Sequence, residues 1–178
     1  KGDKKPVAFI EDCAVSLDHL ADYTAQLKEI FKKYNTSGMF YAHASVGTLH
    51  IRPVLNMKSD EDIKNMRSIS EESFEIVKNY KGSHSGEHGD GIVRSEFHEM
   101  MFGKKIVNAF EEIKDTFDSK NLLNPGKIVR PFKSNDRDLM RYKSGYQAQN
   151  ISTHYDWSNW GQFSDAVEMC NNNGSCRK

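Results

Sequence analysis

The hydrophobic pattern changes period once in the first third of the chain, and this change restricts the possible folds more than any other feature. Before it, apolar residues recur every three or four positions over residues 16–34, which predicts an amphipathic helix. After it, residues 39–45 and 48–52 predict the two strands of a hairpin, and Pro53 marks a place where the second strand can stop. A helix followed directly by a hairpin indicates an antiparallel sheet that is covered by helices.

The rest of the first 130 residues extends this pattern. Residues 7–10 predict a short buried strand, and a second helix begins at Ser59, with Asp62 three residues later in an arrangement close to a capping box. A third helix is predicted over residues 95–118, with a buried seam formed by Phe97, Met100 or Met101, Ile106, Phe110, Ile113 and Phe117. We therefore expect an α+β fold, an antiparallel sheet with helices on one face, and a ferredoxin-like split β-α-β arrangement is one topology that fits.

Composition separates the chain into three parts. Residues 131–168 are polar, contain both tryptophans and show no sustained period, which is typical of a linker or a packing arm. We expect one domain over residues 1–130, this arm, and the start of a truncated further domain over residues 169–178. Because the chain begins at Lys1 without Met and its end looks cut, we interpret it as a piece of a longer protein.

Charge, hydropathy and cysteine count disfavour several classes of protein. Lys plus Arg total 25 and Asp plus Glu total 25, and this balance disfavours a nucleic-acid binder. No apolar run approaches the ~20 residues of a membrane span, so no transmembrane segment is expected. Three scattered cysteines favour a reducing compartment and a cytoplasmic location, with peripheral membrane association left open. Cys13, beside the first strand, is expected to be a small core residue.

Two histidines on the predicted hairpin form the first part of a candidate site. If Val46-Gly47 is a two-residue turn, His43 and His50 lie directly opposite each other on one face, with Cβ atoms roughly 4.5–5.5 Å apart. Two imidazoles at that distance can share one divalent metal ion. Arg52 lies on the same face, two residues beyond His50. Since Val-Gly is not a preferred hairpin dipeptide, a longer turn with looser pairing stays open.

The glycine-rich segment 82–91 supplies the second part of this site. Glu87 would complete a set of two histidines and one carboxylate, which matches a catalytic zinc site or an open non-haem metal site. His88 can act as a base, because imidazole as a side-chain type titrates near neutral pH. Gly86 and Gly89 would let this backbone approach a ligand closely. A histidine pair across a hairpin is nevertheless more often a surface or core feature than a metal site. The remaining histidines, His19, His84, His98 and His154, have no evident partners and are expected to be structural.

Several motifs in a fixed order resemble the C-terminal domain of FAD-linked oxidases, from about Pro6 to Val129. They are Gly86-Glu87-His88-Gly89-Asp90-Gly91-Ile92-Val93-Arg94, then Phe102-Gly103, Phe117-Asp118 and Leu122-Leu123-Asn124-Pro125-Gly126-Lys127-Ile128. That family includes D-lactate dehydrogenase, the glycolate oxidase FAD subunit and D-2-hydroxyglutarate dehydrogenase. Residues 170–178, with Cys170 and Cys176, resemble the start of an iron–sulfur domain, as in the long fused dehydrogenases of this family.

The resemblance implies a substrate and cap domain that works with a separate FAD domain of the same chain. His43, His50 and Glu87 would ligate a divalent metal, often zinc, which binds the 2-hydroxyl and carboxylate of a 2-hydroxyacid. His88 would remove the hydroxyl proton while a hydride passes from C2 to the flavin, and Asn124 would reach the flavin. Electrons would leave through a 4Fe-4S cluster present only in the full-length protein, to an acceptor that stays open.

Arg52 stands where relatives often carry asparagine. Because a guanidinium binds carboxylates bidentately, it favours a dicarboxylate such as 2-hydroxyglutarate over lactate. Two other functions stay open on the sequence alone. One is a self-contained metal-dependent hydrolase that uses His43, His50 and Glu87, with His88 as base. The other is a non-catalytic interaction module whose histidines are incidental.

Overall fold

The computed structural model describes residues 2–170 and 174–177, and it combines an antiparallel sheet with helices. The strands are β1 (Lys5–Pro6), β2 (Cys13–Ala14), β3 (Gly38–His43) and β4 (Thr48–Leu55). The helices are α1 (Leu20–Lys33), α2 (Asp60–Asn79), α3 (Gly91–Ser95), α4 (His98–Phe102), α5 (Lys104–Phe117) and α6 (Phe163–Val167), and short 3-10 turns include Leu17–His19 and Ala44–Val46. The predicted α+β class is confirmed.

β4 is the central strand of the sheet. β3 pairs with it along one edge, while β1 and β2 pair with the opposite edge near its two ends. The predicted strand over residues 7–10 is wrong, because these residues leave the ladder between β1 and β2. Phe9 and Ile10 are nevertheless fully buried. The apolar run therefore indicates burial in the core and does not indicate strand pairing.

β4 continues through Pro53 to Leu55, so the expectation that the strand stops at Pro53 is wrong. Proline has no N–H to donate, but its carbonyl accepts a hydrogen bond from the Val7 N–H at 2.8 Å. On the other edge the Val54 N–H donates to the Ser37 carbonyl at 2.9 Å. The strand tolerates Pro53 because the hydrogen bonds around it do not need its missing donor.

The core lies between the sheet and the two long helices. It is built from Tyr23, Leu27 and Phe31 of α1, from Met66, Ile69, Phe74 and Val77 of α2, and from Ile51 and Leu55 of β4. Burying each such large side chain contributes about 1.5–3 kcal/mol. The Ser59 hydroxyl caps α2 by accepting from the Asp62 N–H, as predicted, and Cys13 is a fully buried core residue, as expected.

The predicted third helix is divided into two helices, α4 and α5, so its continuity is wrong. Gly103 has a φ of 80°, which ends α4 and turns the chain into α5. Phe97 is buried as predicted, but none of the described side chains of α5 is buried, and Phe117 is 85% exposed. The helical period correctly identified an apolar face on α5. Phe110 contacts His98 and Phe102 of α4, whereas Ile106, Ile113 and Phe117 on the same face are exposed.

Residues beyond 130 return to the first part of the chain through polar contacts. The Arg137 guanidinium donates to the Met57 carbonyl at 2.7 Å, and Lys58 forms an ion pair with Glu168. Residues 171–173 and 178 of the predicted 169–178 segment lie outside the described residues, and the division into three parts stays a prediction. Across residues 2–170 and 174–177, no helix has both the length and the hydropathy that crossing a membrane requires.

Candidate active site

Three histidine side chains converge on one carboxylate oxygen. Glu87 Oε1 lies 3.3 Å from His43 Nε2, 3.1 Å from His50 Nε2 and 3.5 Å from His88 Nε2. The rings of His50 and His88 stack with centroids 4.8 Å apart, and His43 meets His50 edge-on at 5.1 Å. His50 is buried, whereas Glu87 is about half exposed. The structure thus brings together all four residues that the sequence singled out.

The hairpin register differs from the predicted one. His43 pairs with Thr48, and His50 pairs with Tyr41, so the prediction that the two histidines lie directly opposite each other is wrong. The turn holds four residues, 44–47, which form a short 3-10 turn followed by a left-handed glycine. The histidines are diagonal neighbours on the same face, and their long side chains still meet.

Gly47 makes this turn possible. Its φ is 71°, and a Cβ atom there would lie 1.9 Å from the Val15 carbonyl oxygen. Any other residue would have to push the turn away from the Val15 backbone. The position of His43 at the end of β3 therefore depends on a glycine four residues later.

Asp12 holds the loop that carries Glu87 and His88. Its Oδ1 accepts from the Glu87 N–H at 2.9 Å and its Oδ2 from the His88 N–H at 2.8 Å, while its carbonyl accepts from the Gly86 N–H at 2.7 Å. Burial alone would raise the pKa of Asp12, but these amide hydrogen bonds and the nearby positive charge of Arg94 together lower the pKa below its usual value. An ionised, fully buried carboxylate thus fixes the backbone beneath the site.

Glu11 links His88 to Arg52. The Arg52 Nε–H donates to Glu11 Oε2 at 2.6 Å, and Glu11 Oε1 lies 3.4 Å from His88 Nδ1. The Arg52 side chain is 53% exposed, and no described residue accepts a hydrogen bond from its terminal nitrogens. Arg52 also lines a neighbouring cavity of about 790 Å³, which does not cover the histidines. The guanidinium therefore stands between the histidine cluster and this cavity.

Two overlapping sets of ligands are available for a metal ion. The predicted set is His43, His50 and Glu87, and a second set consists of Asp12, His50, Glu87 and His88, whose ligand atoms lie within 4.8 Å of one another. Both oxygens of Asp12 already accept amide hydrogen bonds, so we treat it as the anchor of the loop. His50 and Glu87 belong to both sets. Imidazole nitrogens and a carboxylate oxygen are ligands that zinc takes in proteins.

Sequence reasoning missed Glu11 and Asp12 as site residues. The available signal was their position, since two acidic residues follow directly on a buried apolar run. The expectation that His84 and His98 have no partners is also wrong, because both rings face the carboxylate of Asp90. The other two histidines contact tyrosine rings: His19 stacks on Tyr80, and His154 meets Tyr155.

The predicted flavin and cluster residues, Asn124, Cys170 and Cys176, are not part of the histidine cluster, although Cys170 lines the cavity beside Arg52. Asn124 sits in the turn after α5 with a φ of 48°, between exposed leucines at 122 and 123 and a glycine at 126. Cys170 and Cys176 are exposed, and no disulfide occurs among the described cysteines.

Comparison with known proteins identifies the family. The family model described as "FAD linked oxidases, C-terminal domain" matches residues 1–128, and the chain belongs to this family. It is 35% identical over 176 residues to a D-2-hydroxyglutarate dehydrogenase of Pseudomonas putida, covering 99% of this chain and 17% of that protein. It is 39% identical over 134 residues to a D-2-hydroxyglutarate dehydrogenase of Pantoea ananatis, covering 75% of this chain and 13% of that protein.

A third relative carries a different enzyme name. The chain is 30% identical over 124 residues to "Glycolate oxidase subunit GlcD" of Bacillus subtilis, covering 70% of this chain and 26% of that protein. The chain therefore spans only 13 to 26% of the length of these three curated relatives. The resemblance seen in the motifs is confirmed at the level of the family.

Proposed function

We propose that this chain is the substrate and cap domain of a flavin- and metal-dependent D-2-hydroxyacid dehydrogenase of the 2-hydroxyglutarate or lactate class. The observation that carries the proposal is the convergence of His43, His50 and His88 on Glu87 in a member of the FAD-linked oxidase family. The names of the two D-2-hydroxyglutarate dehydrogenases support the substrate class. We expect this chain alone not to turn over substrate, because the family model that it matches describes only a C-terminal domain.

The residues present fit a divalent metal. His43, His50 and Glu87 offer two imidazole nitrogens and one carboxylate oxygen on the open side of the cluster, and the Nε2 atoms already face the carboxylate. When bound, the metal would lower the pKa of a ligated hydroxyl and fix its orientation. His50, the buried member, would set the depth of the site, while the exposed His43 and Glu87 would leave room for substrate.

His88 is the proposed base. The carboxylate of Glu11 beside Nδ1 favours the tautomer with its proton on Nδ1, so that Nε2 keeps a lone pair toward the site. The substrate 2-hydroxyl loses its proton to His88 Nε2, and C2 loses a hydride, so that a 2-hydroxyacid becomes a 2-oxoacid. Bound flavin would supply the acceptor for that hydride. Stacking on His50 holds the His88 ring in place.

Arg52 is the proposed determinant of substrate choice. Its Nε–H is held by Glu11, which orients the guanidinium while its terminal nitrogens stay free of hydrogen bonds to the described residues. A second carboxylate on the substrate would accept from those nitrogens. This arrangement favours 2-hydroxyglutarate, which has such a carboxylate, over lactate, which has none.

The FAD domain of the full-length protein is the proposed partner of the exposed apolar face. This face includes Phe102, Ile106, Ile113, Phe117, Leu122 and Leu123, all of them exposed. Contiguous exposed apolar surface of this kind marks an interaction site. Asn124, the proposed flavin contact, follows directly on this surface, and the relatives are several times longer than this chain.

The iron–sulfur proposal rests on two residues. Cys170 and Cys176 would supply two thiolates, whereas a 4Fe-4S cluster takes four. The cysteines of the described residues therefore do not fit a complete cluster, and the proposed mechanism has no step that uses one.

The test uses the full-length protein with D-2-hydroxyglutarate and an artificial electron acceptor. Glu87→Gln keeps the shape of the side chain and removes its charge, so we expect loss of bound metal and a fall in kcat of at least about 100-fold. Glu99→Gln, on the surface of α4, is the matched control and should leave both unchanged.

Full activity of Glu87→Gln after treatment with a chelator would contradict the proposal. Hydrolysis of simple esters or amides by this chain without flavin would instead favour the metal-dependent hydrolase. Loss of metal without loss of activity would show that the metal is structural and that His88 acts without it.

A further inference from the structure

We propose a second divalent-metal site, formed by His84, Asp90 and His98 under the loop that carries Glu87 and His88. His98 Nε2 lies 3.1 Å from Asp90 Oδ2, and His84 Nε2 lies 3.7 Å from Asp90 Oδ1. One ligand atom from each of the three residues lies within 4.8 Å of the others. These residues belong neither to the predicted metal set nor to the proposed mechanism.

Burial makes this group unusual. His84 is 0% exposed and His98 is 2% exposed, and both are polar. Neither ring nitrogen of His84 makes a well-formed hydrogen bond to another described residue, and neither does Nε2 of His98. Buried polar groups are normally paired, so two unpaired ring nitrogens turned toward one carboxylate, His84 Nε2 and His98 Nε2, indicate a ligand between them.

The hydrogen bond on the far side of His98 defines its tautomer. Its Nδ1 lies 3.2 Å from the Ile128 carbonyl, which can only accept, so Nδ1 carries the proton. In the neutral ring Nε2 then presents a lone pair to Asp90 Oδ2, and two lone pairs at 3.1 Å repel each other unless a cation or a proton lies between them. Histidines that ligate metals characteristically donate their other N–H to a carbonyl or carboxylate in this way.

The Ile128 backbone is bent to supply that carbonyl. Its φ is 63°, a left-handed conformation that β-branched residues rarely adopt, and its N–H is held by the Ser95 hydroxyl at 3.1 Å. Such strain persists where the surrounding structure requires it and clusters at functional sites. The strained turn therefore positions the outer partner of His98.

A metal ion fits the group better than a proton does. One proton between His98 and Asp90 would satisfy that pair and leave His84 Nε2 facing Asp90 Oδ1 at 3.7 Å without a hydrogen bond, whereas one cation can take both imidazoles and the carboxylate together. Two imidazole nitrogens and one carboxylate oxygen suit zinc and similar divalent transition metals. Phe74 and Phe102 contact the His84 ring, and the one-quarter exposed Asp90 gives the opening through which an ion enters.

The second metal would act on the first site through the loop. His84 and Asp90 lie three residues before Glu87 and two residues after His88, and His98 lies on α4. An ion bound by all three would hold both ends of the loop against α4. Asp12 fixes the middle of the same loop through the Glu87 and His88 amides. The proposed role of the second metal is structural: it holds the loop that positions Glu87 and His88.

The test counts metal in the full-length protein. After removal of metal with a chelator, Co²⁺ is titrated while its absorption is followed, and bound metal is counted by mass spectrometry. We expect two equivalents in the unchanged protein, of which one is lost in His84→Ala/His98→Ala and the other in His43→Ala/His50→Ala. His19→Ala/His154→Ala is the matched control and should keep both.

A milder variant guards against misfolding of the buried double mutant. Asp90→Asn keeps the size of a partly exposed side chain, and we expect the second equivalent to bind at least tenfold more weakly while the first stays. Addition of Co²⁺ should raise the melting temperature of the His43→Ala/His50→Ala protein but raise it less when Asp90→Asn is added. Asp22→Asn, on the exposed face of α1, is the control for the charge change.

Three outcomes separate this inference from the proposed function. A single equivalent that is lost only with His43 and His50 would overturn the second site and leave the proposed function intact. A single equivalent that is lost only with His84 and His98 would support the second site and contradict the proposed catalytic metal. Retention of two tight equivalents in Asp90→Asn would overturn the assignment of His84, Asp90 and His98 as the second ligand set.

Discussion

Two groups of imidazoles and carboxylates meet at the loop that carries Glu87 and His88, and they differ in exposure. The upper group, His43, His50, Glu87 and His88, is open on one side, and its carboxylate is half exposed. The lower group, His84, Asp90 and His98, has two fully buried imidazoles, with aromatic rings around them. Exposure of this kind suits a site that must admit a substrate, whereas enclosure suits a group that holds structure. The same residue types thus serve different purposes according to their depth.

The pKa values sharpen this contrast. Burial, only partly offset by the charge of Asp90, lowers the pKa of His84 to about 4, so the ring stays neutral at physiological pH. A neutral imidazole is the form that binds a metal. The nearby Asp12 stays ionised despite its burial, because two amides and a positive charge stabilise its carboxylate and lower its pKa.

The largest expected effect comes from a comparison of one substitution in each group. In the full-length protein, His88→Gln should lower kcat by about 100- to 10,000-fold because it removes the base, and it should leave the melting temperature unchanged since the ring is partly exposed. His84→Gln should lower the melting temperature and change kcat by less than tenfold. Steady-state kinetics and calorimetry of both variants measure this. The reverse pattern would mean that the buried group carries the chemistry.

An intermediate effect is expected at Arg52, at the edge of the upper group. Arg52→Ala should lower kcat/KM for 2-hydroxyglutarate by about 10- to 100-fold, because a charge-assisted hydrogen bond contributes about 1.5–3 kcal/mol. The value for lactate should hardly change. Arg141→Ala, which removes another guanidinium that lines the neighbouring cavity, is the control. An unchanged preference for the dicarboxylate would remove Arg52 from substrate recognition.

The smallest expected effect lies away from both groups and tests how aspartates hold loops in this fold. Asp118 accepts from Lys114 and from the amides of Leu122 and Leu123, and these hydrogen bonds lower its pKa to about 2. Since the folded pKa lies below the unfolded value of about 3.9, this contribution is present above pH 4 and is lost as the pH falls toward 2.

Amide hydrogen exchange at residues 122 and 123 measures this loss. Protection should fall between pH 4 and pH 2 in the unchanged protein. In Asp118→Asn that additional acid-dependent loss should be absent, since the amide does not titrate. Equal pH dependence in both proteins would show that Asp118 does not hold this turn.

Much of the site could be predicted because it depends on residue type and local spacing. His43 and His50 flank a turn, and Glu87 and His88 stand in a glycine-rich segment, so their proximity in sequence to turns already marked them. Asp12 could not be identified in this way, because its role comes from amides about 75 residues away. The pairing of His84 with His98 could not be predicted either, because it depends on how the loop packs against α4.

Local periodicity by itself determined the helices α1 and α2, the hairpin, and the apolar face of α5, because side-chain direction repeats every 3.6 residues in a helix and every two in a strand. Tertiary structure alone decided the hairpin register, the departure of residues 7–10 from the sheet, and the exposure of α5. These depend on turn length and on contacts between distant segments, for which periodicity carries no information. The sequence placed the chemical groups, and packing decided which of them are open to a substrate and which are enclosed.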